Sequence, residues 1–592
     1  MNTRLFSTVS MFLILLILAG ACAPAATPEP ATSVPPTTAP PSAPAPTTAA
    51  PAATQAPTSM PATAVPPTQA PPTQVPPTAA PTIVVGPQGA AADPTTLIVL
   101  TPLDTQTLDP AVNYDFSGGF LLRNVYEGLV KAVGSKEAKI TPALAESWQV
   151  SADGLTYTFK LRSGVKFHDG TPMDAAAVKY SFDRLLALKM GAVANFTSID
   201  HIDVVDPSTV NFVLKAPFST FLLALTSMWG PVIVSPTAVK AHETKGDMGQ
   251  AWLAENDAGT GAYKVDKWDR NNQLTLVRNP DYWGGWGSQY LDKIIIRFVP
   301  ETTTMREMIE KGDADIAVGM SSNEDLDALA KNPAVQVEEF SAMSIHDLRI
   351  NTTKKPLDDV RVRQALAYSF DYDQAANAVL GGHAIRMDSI TAKGVAGYYK
   401  PSFMYTKDLA KAKQLLADAG HPGGGFSLDY IWLSGIDIDR QIGEMWQADL
   451  KTLGIDLKIQ EMPLNTWWTA QASPETAPQM MMGQWGLDYA DATSQIWLMY
   501  YSGNFPPSGS NYFFYKNPQV DKLLEQARTE TDQAKLDQLY QSAVEMIYTD
   551  SPEVWAVQTN ERIVHRNVVI GYQYNMSYYK EGIDFSQMYK LK

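Results

Sequence analysis

The stretch Ala143-Leu-Ala-Glu-Ser-Trp-Gln-Val-Ser-Ala-Asp-Gly-Leu-Thr-Tyr-Thr-Phe-Lys-Leu-Arg162, continuing through Ser163-Gly164 to Val165-Lys-Phe-His-Asp-Gly-Thr-Pro172, decides the fold. From Leu155 to Leu161, Leu, Tyr, Phe and Leu alternate with Thr, Thr and Lys, the period-two pattern of a strand with one buried face. Arg162-Ser163-Gly164 turns the chain into Val165-Lys166-Phe167, and Asp169-Gly170-Thr171-Pro172 has the chemistry of a second turn. His168-Asp169 reads as a pair that stabilises that turn.

Outward from this hairpin, strand-like and helix-like patterns alternate, which predicts α/β lobes rather than a repeat array. Leu97–Leu100 and Ile294–Val299 read as buried strands. Asp408 opens a helix whose Leu409, Ala412, Leu415, Leu416 and Ala419 share one face, with Gly420 just past its end. Asn517-Pro518 is a cap and first-turn pair before Val520, Leu523, Leu524 and Ala527. A second late helix carries Leu536, Leu539, Tyr540, Ala543, Val544 and Ile547, stops at Pro552, and precedes a strand over Glu553–Val557. Asp93 to Lys592 is about 500 residues, more than one hydrophobic core supports, so two or three lobes are expected.

The first 94 residues are of another kind. Arg4, an apolar run from Met11 to Ala19, then Gly20, Ala21 and Cys22 describe a secretory signal, too short to span a bilayer. It ends on the sole cysteine, so residues 1–22 read as a lipoprotein signal with Cys22 as the lipidated residue. The stretch departs from a lipobox at Ala19, with Leu18 one place further back; the alternative is an ordinary signal cut near Ala21. Residues 23–94 read as a disordered stalk: the run from Pro24 to Pro81 holds 19 of the 42 prolines, and Glu29 is the only charge between Arg4 and Asp93. Such a segment buries too little apolar surface to offset ordering entropy. Extended as polyproline II, roughly 60 residues reach on the order of 150 Å or more, the length of a stalk.

Charge and motif content exclude several function classes. Lys and Arg total 46 against 62 Asp and Glu, a formal net charge of −16 without a long basic run, which disfavours nucleic-acid binding. A phosphate loop, a Gly-x-Ser-x-Gly elbow and a His-Glu-x-x-His pair are all missing, and the single cysteine belongs to the export signal. Asp437 and Asp439 lack the glycine and terminal Glu of a calcium loop, and no cofactor or metal site is expected. Paired carboxylates distant in sequence leave a stalked surface hydrolase open as an alternative.

The opening stretch resembles the family 5 extracellular solute-binding proteins of ABC transporters, the oligopeptide, dipeptide and nickel binders. Further similarities follow in order. Thr107-Leu-Asp-Pro110 is similar to the family's opening segment, and Asn124-Val-Tyr-Glu-Gly-Leu-Val130 to its first helix. Gly259-Thr-Gly-Ala-Tyr263 with Arg278-Asn-Pro-Asp-Tyr-Trp283 resembles the return to the first lobe, and Asp358-Asp-Val-Arg-Val-Arg-Gln-Ala-Leu366 the start of the C-terminal lobe. The resemblance implies a three-lobed, type II periplasmic-binding-protein (Venus-flytrap) α/β fold. Domain I would be discontinuous (95–140, 258–345, 553–592), with domain II at 141–257 and domain III at 346–552. It also implies capture of a peptide or other amine-bearing solute by closure of domains I and III, without catalysis. Delivery to permease subunits by a monomer outside the cytoplasmic membrane is implied with it; an oligosaccharide ligand is the alternative within the family.

For the site, Gly483-Gln-Trp-Gly-Leu-Asp-Tyr-Ala-Asp491 resembles the Trp-x-x-Asp-Tyr segment of peptide-binding members, whose aspartate accepts the ligand ammonium. That role falls on Asp488, against a cap or turn role, with Asp491 as nearby competitor; Ala492 stands where the family has proline. Trp485, Tyr489, Trp467 and Trp468 are candidates to line the cleft, since aromatic rings offer flat, low-entropy surface, with core packing as the other reading. Arg386 is the candidate clamp for a ligand carboxylate.

Overall fold

The computed structural model describes residues 93–134, 138–507, 509–575 and 583–591; Cys22, the export signal and the proline-rich segment lie outside them. Eleven strands form one mixed sheet. From one edge they run Ile455–Met462, Phe426–Leu433, Met480–Gly486, Val335–Ile350 and Glu553–Arg566. The order continues through Ile316–Ala317, Thr96–Thr101, Lys293–Phe298, Gln273–Arg278 and Tyr263–Asp269, with Ala384–Arg386 paired to Glu553–Arg566 off this path. Thr96–Thr101 is parallel to both its neighbours, as is Phe426–Leu433, and the long pair Val335–Ile350 and Glu553–Arg566 is antiparallel. These two strands carry the sheet from one half of the molecule to the other, and their register shifts between Ser341 and Ile345.

The opening stretch folds as its pattern predicts. Thr156–Leu161 buries Tyr157, Phe159 and Leu161 and exposes Lys160, inside a separate antiparallel sheet with Ala145–Val150, Thr209–Leu214 and Ile199–Asp206. Asp169 closes its turn by accepting from the backbone N–H and hydroxyl of Thr171. His168 does something else: its ring bonds Asp257 and the Gly261 carbonyl, tying the turn to a segment about 90 residues on.

The expected helices form with the expected caps. Asp408 accepts from Lys411 N–H at the start of Leu409–Asp418, and Gly420 follows that helix at φ 90°, the left-handed conformation glycine adopts without Cβ strain. Asn517 caps Pro518–Thr529, and Gln533–Asp550 precedes the last long strand. Two expectations need correction. That strand runs on to Arg566 rather than ending at Val557, because it is buried nearly throughout and paired on both sides. The Asn124–Val130 motif is the end of helix Phe116–Val125 and a loop into Val130–Val133, not a helix.

Apolar side chains gather into three large cores. One collects residues from 345 to 557 around Trp446, Tyr430 and Trp555. A second surrounds the four-stranded sheet, and a third packs helix Phe116–Val125 against Thr96–Thr101 and Lys293–Phe298. Each large side chain buried this way contributes roughly 1.5–3 kcal/mol. Their polar atoms are provided for: Trp446 Nε1 donates to Ser369 Oγ at 2.9 Å and Trp555 Nε1 to the Tyr500 hydroxyl at 3.0 Å. No helix among the described residues is long and apolar enough to cross a membrane.

Candidate functional site

Strand Met480–Gly486 sits between Phe426–Leu433 and Val335–Ile350, opposing Arg349 to Met481, Asp347 to Gly483 and Ile345 to Trp485. At its carboxyl end the chain leaves the sheet and places Asp488 where residues 103–117, 192–194, 229 and 433–512 converge. Two chambers meet there, of about 120 and 230 Å³, sharing Tyr114, Asp115, Trp468, Asp488 and Tyr512.

Asp488 is 1% exposed and its partners are neutral. The Tyr114 hydroxyl donates to its two oxygens at 2.9 and 3.1 Å, and Asn195 Nδ2 donates to Oδ2 at 2.6 Å. Burial pushes its carboxyl up to about 6, and these donors only partly offset that. Burial and then the charge of Asp488 hold the Tyr114 phenol well above its ordinary range, so it remains a donor. The site therefore holds a desolvated carboxylate with hydrogen bonds but without a counter-ion, an arrangement that a cation entering the cleft would complete.

Asp491, three residues on, has another job. It caps helix Ala492–Tyr500, accepting from Thr493 N–H at 2.8 Å and from its hydroxyl, and it lines neither chamber. The two aspartates are thus divided between cleft and cap.

The aromatic candidates divide too. Trp467 and Trp468, on helix Leu464–Ala470, line the first chamber in a T-shaped pair at 4.9 Å, and Trp485 lines it from the strand. Tyr489 does not join them. It points away from Asp488, packs in the core of the four-stranded sheet and places its hydroxyl 3.4 Å from Thr220 Oγ1. Arg386 is also elsewhere: its short strand pairs with Glu553–Arg566, and its guanidinium stacks on Tyr372, faces Asp373 and donates to the Tyr405 carbonyl.

The arginine that lines the cleft is Arg349, which sequence reasoning passed over. Its Nε donates to Asp347 Oδ2 at 2.9 Å and its Nη2 to the Gln484 carbonyl at 3.0 Å. The guanidinium lies flat over Gly483, where a Cβ would come within 2.3 Å of it. Tyr114, Asn195, Trp229 and Tyr512 were also passed over, since nothing local in the sequence links positions so far from 488.

The profile of the bacterial extracellular solute-binding proteins, family 5 Middle, matches residues 139–507. The probable D,D-dipeptide-binding periplasmic protein DdpA of Escherichia coli K12 is 31% identical over 493 residues, 83% of this chain and 93% of that protein. The glutathione-binding protein GsiB of the same strain is 30% identical over 476 residues, 79% of this chain and 89% of its own. Among solved structures, the periplasmic binding protein DppA of Helicobacter pylori in complex with the peptide STSA superposes with a TM-score of 0.76 at 27% identity. That superposition covers 84% of this chain and 98% of that one. The chain belongs to the family 5 extracellular solute-binding proteins and has their type II periplasmic-binding-protein fold.

Proposed function

We propose that this protein is the extracytoplasmic substrate-binding component of an ABC importer, taking short peptides or another solute that presents a free ammonium. The reading is supported by relatives named for dipeptide and glutathione binding and by a structural neighbour that holds a peptide. One observation carries it: Asp488 is a buried carboxylate with neutral partners only, at the junction of two chambers. An α-ammonium supplies the missing charge, and its charge-assisted bond gains strength as closure excludes water.

In this mechanism domains I (95–140, 258–345, 553–592) and III (346–552) close about the long strands, with domain II (141–257) packed alongside. Diacylglyceryl Cys22 and the proline-rich stalk would hold the body near its permease, where tethering raises effective concentration. The test is a thermal-shift and calorimetric screen of dipeptides, tripeptides and cello-oligosaccharides. A cognate ligand at 100 times its dissociation constant adds about 2.7 kcal/mol of stability. Peptide binding that survives intact in Asp488→Asn would refute the ammonium role, binding of a cello-oligosaccharide alone would redirect the ligand class, and turnover of any compound would refute pure binding.

A further inference from the structure

In the first residue of a peptide, ammonium, side chain and carbonyl diverge from one carbon, and Asp488 stands where two unlike chambers diverge. The surface of the first is mostly apolar. Leu103, Leu433, Ile436 and Leu464 line it beside the tryptophans; Leu103 is exposed and the other three are half-buried. They arrive from separate segments. Leu103 follows strand Thr96–Thr101, Leu433 ends strand Phe426–Leu433, Ile436 precedes helix Asp437–Thr452 and Leu464 opens helix Leu464–Ala470. The second chamber is more polar: Gln106, Gln471 and Ser510 line it with Ala192, Ala472 and Gly509, small residues that leave room for a main chain.

The charged side chains of the first chamber, Asp488 apart, are already engaged by the protein. Asp104 accepts from the N–H groups of Thr105 and Asn271 and from Trp268 Nε1. Asp115 accepts from the N–H groups of Gln106 and Gly118, the Thr105 hydroxyl and Asn113 Nδ2. Asp439 pairs with His346 at 2.9 Å, and Arg349 is held by Asp347 and the Gln484 carbonyl. A charged ligand side chain entering here would lose its water and find these groups taken, which is costly. An apolar one covers apolar surface that water otherwise wets, which is favourable.

We infer that the first chamber takes the side chain of the ligand's amino-terminal residue and selects a large apolar one, while the rest of the peptide leaves through the second chamber. Leu103, Leu433, Ile436 and Leu464 are then specificity-determining residues, and selection acts through the difference in apolar surface buried by one side chain and another. Position in the peptide matters as much as composition, because only the first residue carries the ammonium that fixes it at the junction. The inference rests on Asp488 as the acceptor of that ammonium.

The test is titration calorimetry on the full chain at pH 7.5 with phenylalanyl-alanine, its reversed isomer alanyl-phenylalanine, lysyl-alanine and alanyl-alanine. Phenylalanyl-alanine is expected to bind at least about tenfold more tightly than each of the others. Leu103→Ala and Leu464→Ala, at positions that are not fully buried, should weaken it about 3- to 10-fold each and leave alanyl-alanine within about twofold. The reversed isomer binding as tightly, with both lost in Asp488→Asn, would overturn this inference and leave the ammonium reading standing. Lysyl-alanine binding as tightly as phenylalanyl-alanine would overturn the apolar preference. Leucine variants that weaken phenylalanyl-alanine and alanyl-alanine alike, or neither, would overturn the assignment of the chamber to the first side chain. Binding that ignores Asp488→Asn, or binding of none of the four, would overturn the ammonium reading and this inference with it.

Discussion

Asp109 and Asp488 are both buried carboxylates, and they are treated in opposite ways. Asp109 is gripped by Arg184, whose Nη1 and Nη2 donate to its two oxygens in a pair with almost no exposure on either side. Asp488 has a phenol and an amide. In the first, desolvation is offset inside the protein, as a structural cross-link requires. In the second it is left partly uncompensated, at a place open to a cleft. A missing counter-ion alone does not mark a binding group, since Asp491 lacks one too and caps a helix; on the proposed reading it is the missing counter-ion at a carboxylate facing the cleft that sets Asp488 apart.

The comparison breaks most visibly at Arg184. Arg184→Met strands Asp109 as an uncompensated buried charge and should cost about 3–5 kcal/mol, read as a lower urea midpoint. Asp488→Asn should behave in the reverse sense. It should lose peptide affinity by about 100-fold or more, measured by calorimetry, while the ligand-free protein melts higher by the equivalent of about 2 kcal/mol. The sign follows from linkage. The Asp488 carboxyl titrates near 6 folded and near 3.8 unfolded, so its own contribution to the stability of the free protein is full below about pH 4 and is lost as pH rises through 6.

On the proposed function the same group would set the pH dependence of capture. An ammonium binds the ionised form, so affinity should be flat above pH 7 and fall up to about tenfold per unit below 6. An affinity independent of pH from 5 to 8 would mean that Asp488 takes no part. The smallest effect belongs to Asp491→Ala, which removes a helix cap and should cost about 1 kcal/mol in thermal unfolding with peptide affinity unchanged. If instead it weakened peptide binding as Asp488→Asn does, the division between cleft and cap would fail.

Local chemistry was legible in the sequence. The alternation at Leu155–Leu161 and the caps at Asp408 and Asn517 are decided by neighbours within a few residues, and the structure repeats them. Asp488 and Trp485 were reachable through the resemblance around Gly483–Asp491, and Trp467 and Trp468 as aromatic candidates for a cleft; Trp229, the fourth tryptophan of the first chamber, was not. The rest depends on positions far apart in the chain. Tyr114 and Asn195 lie 374 and 293 residues from Asp488, and no spacing rule connects them. Arg386 was named and Arg349 passed over because a local motif does not reveal which face of a strand meets a cavity. Tyr489 was misplaced because the chain bends at residues 488–490 once the strand has ended at Gly486, and a local motif does not show to which side each side chain of such a bend turns.

The contact between Arg349 and Gly483 has an evolutionary consequence. Because the guanidinium occupies the volume where a side chain at 483 would begin, the two positions cannot drift independently. A lineage that places any larger residue at 483 must first shorten or redirect the side chain at 349, and so release Asp347 from its partner. A larger residue at 483 should therefore appear only alongside substitutions at 349 and 347.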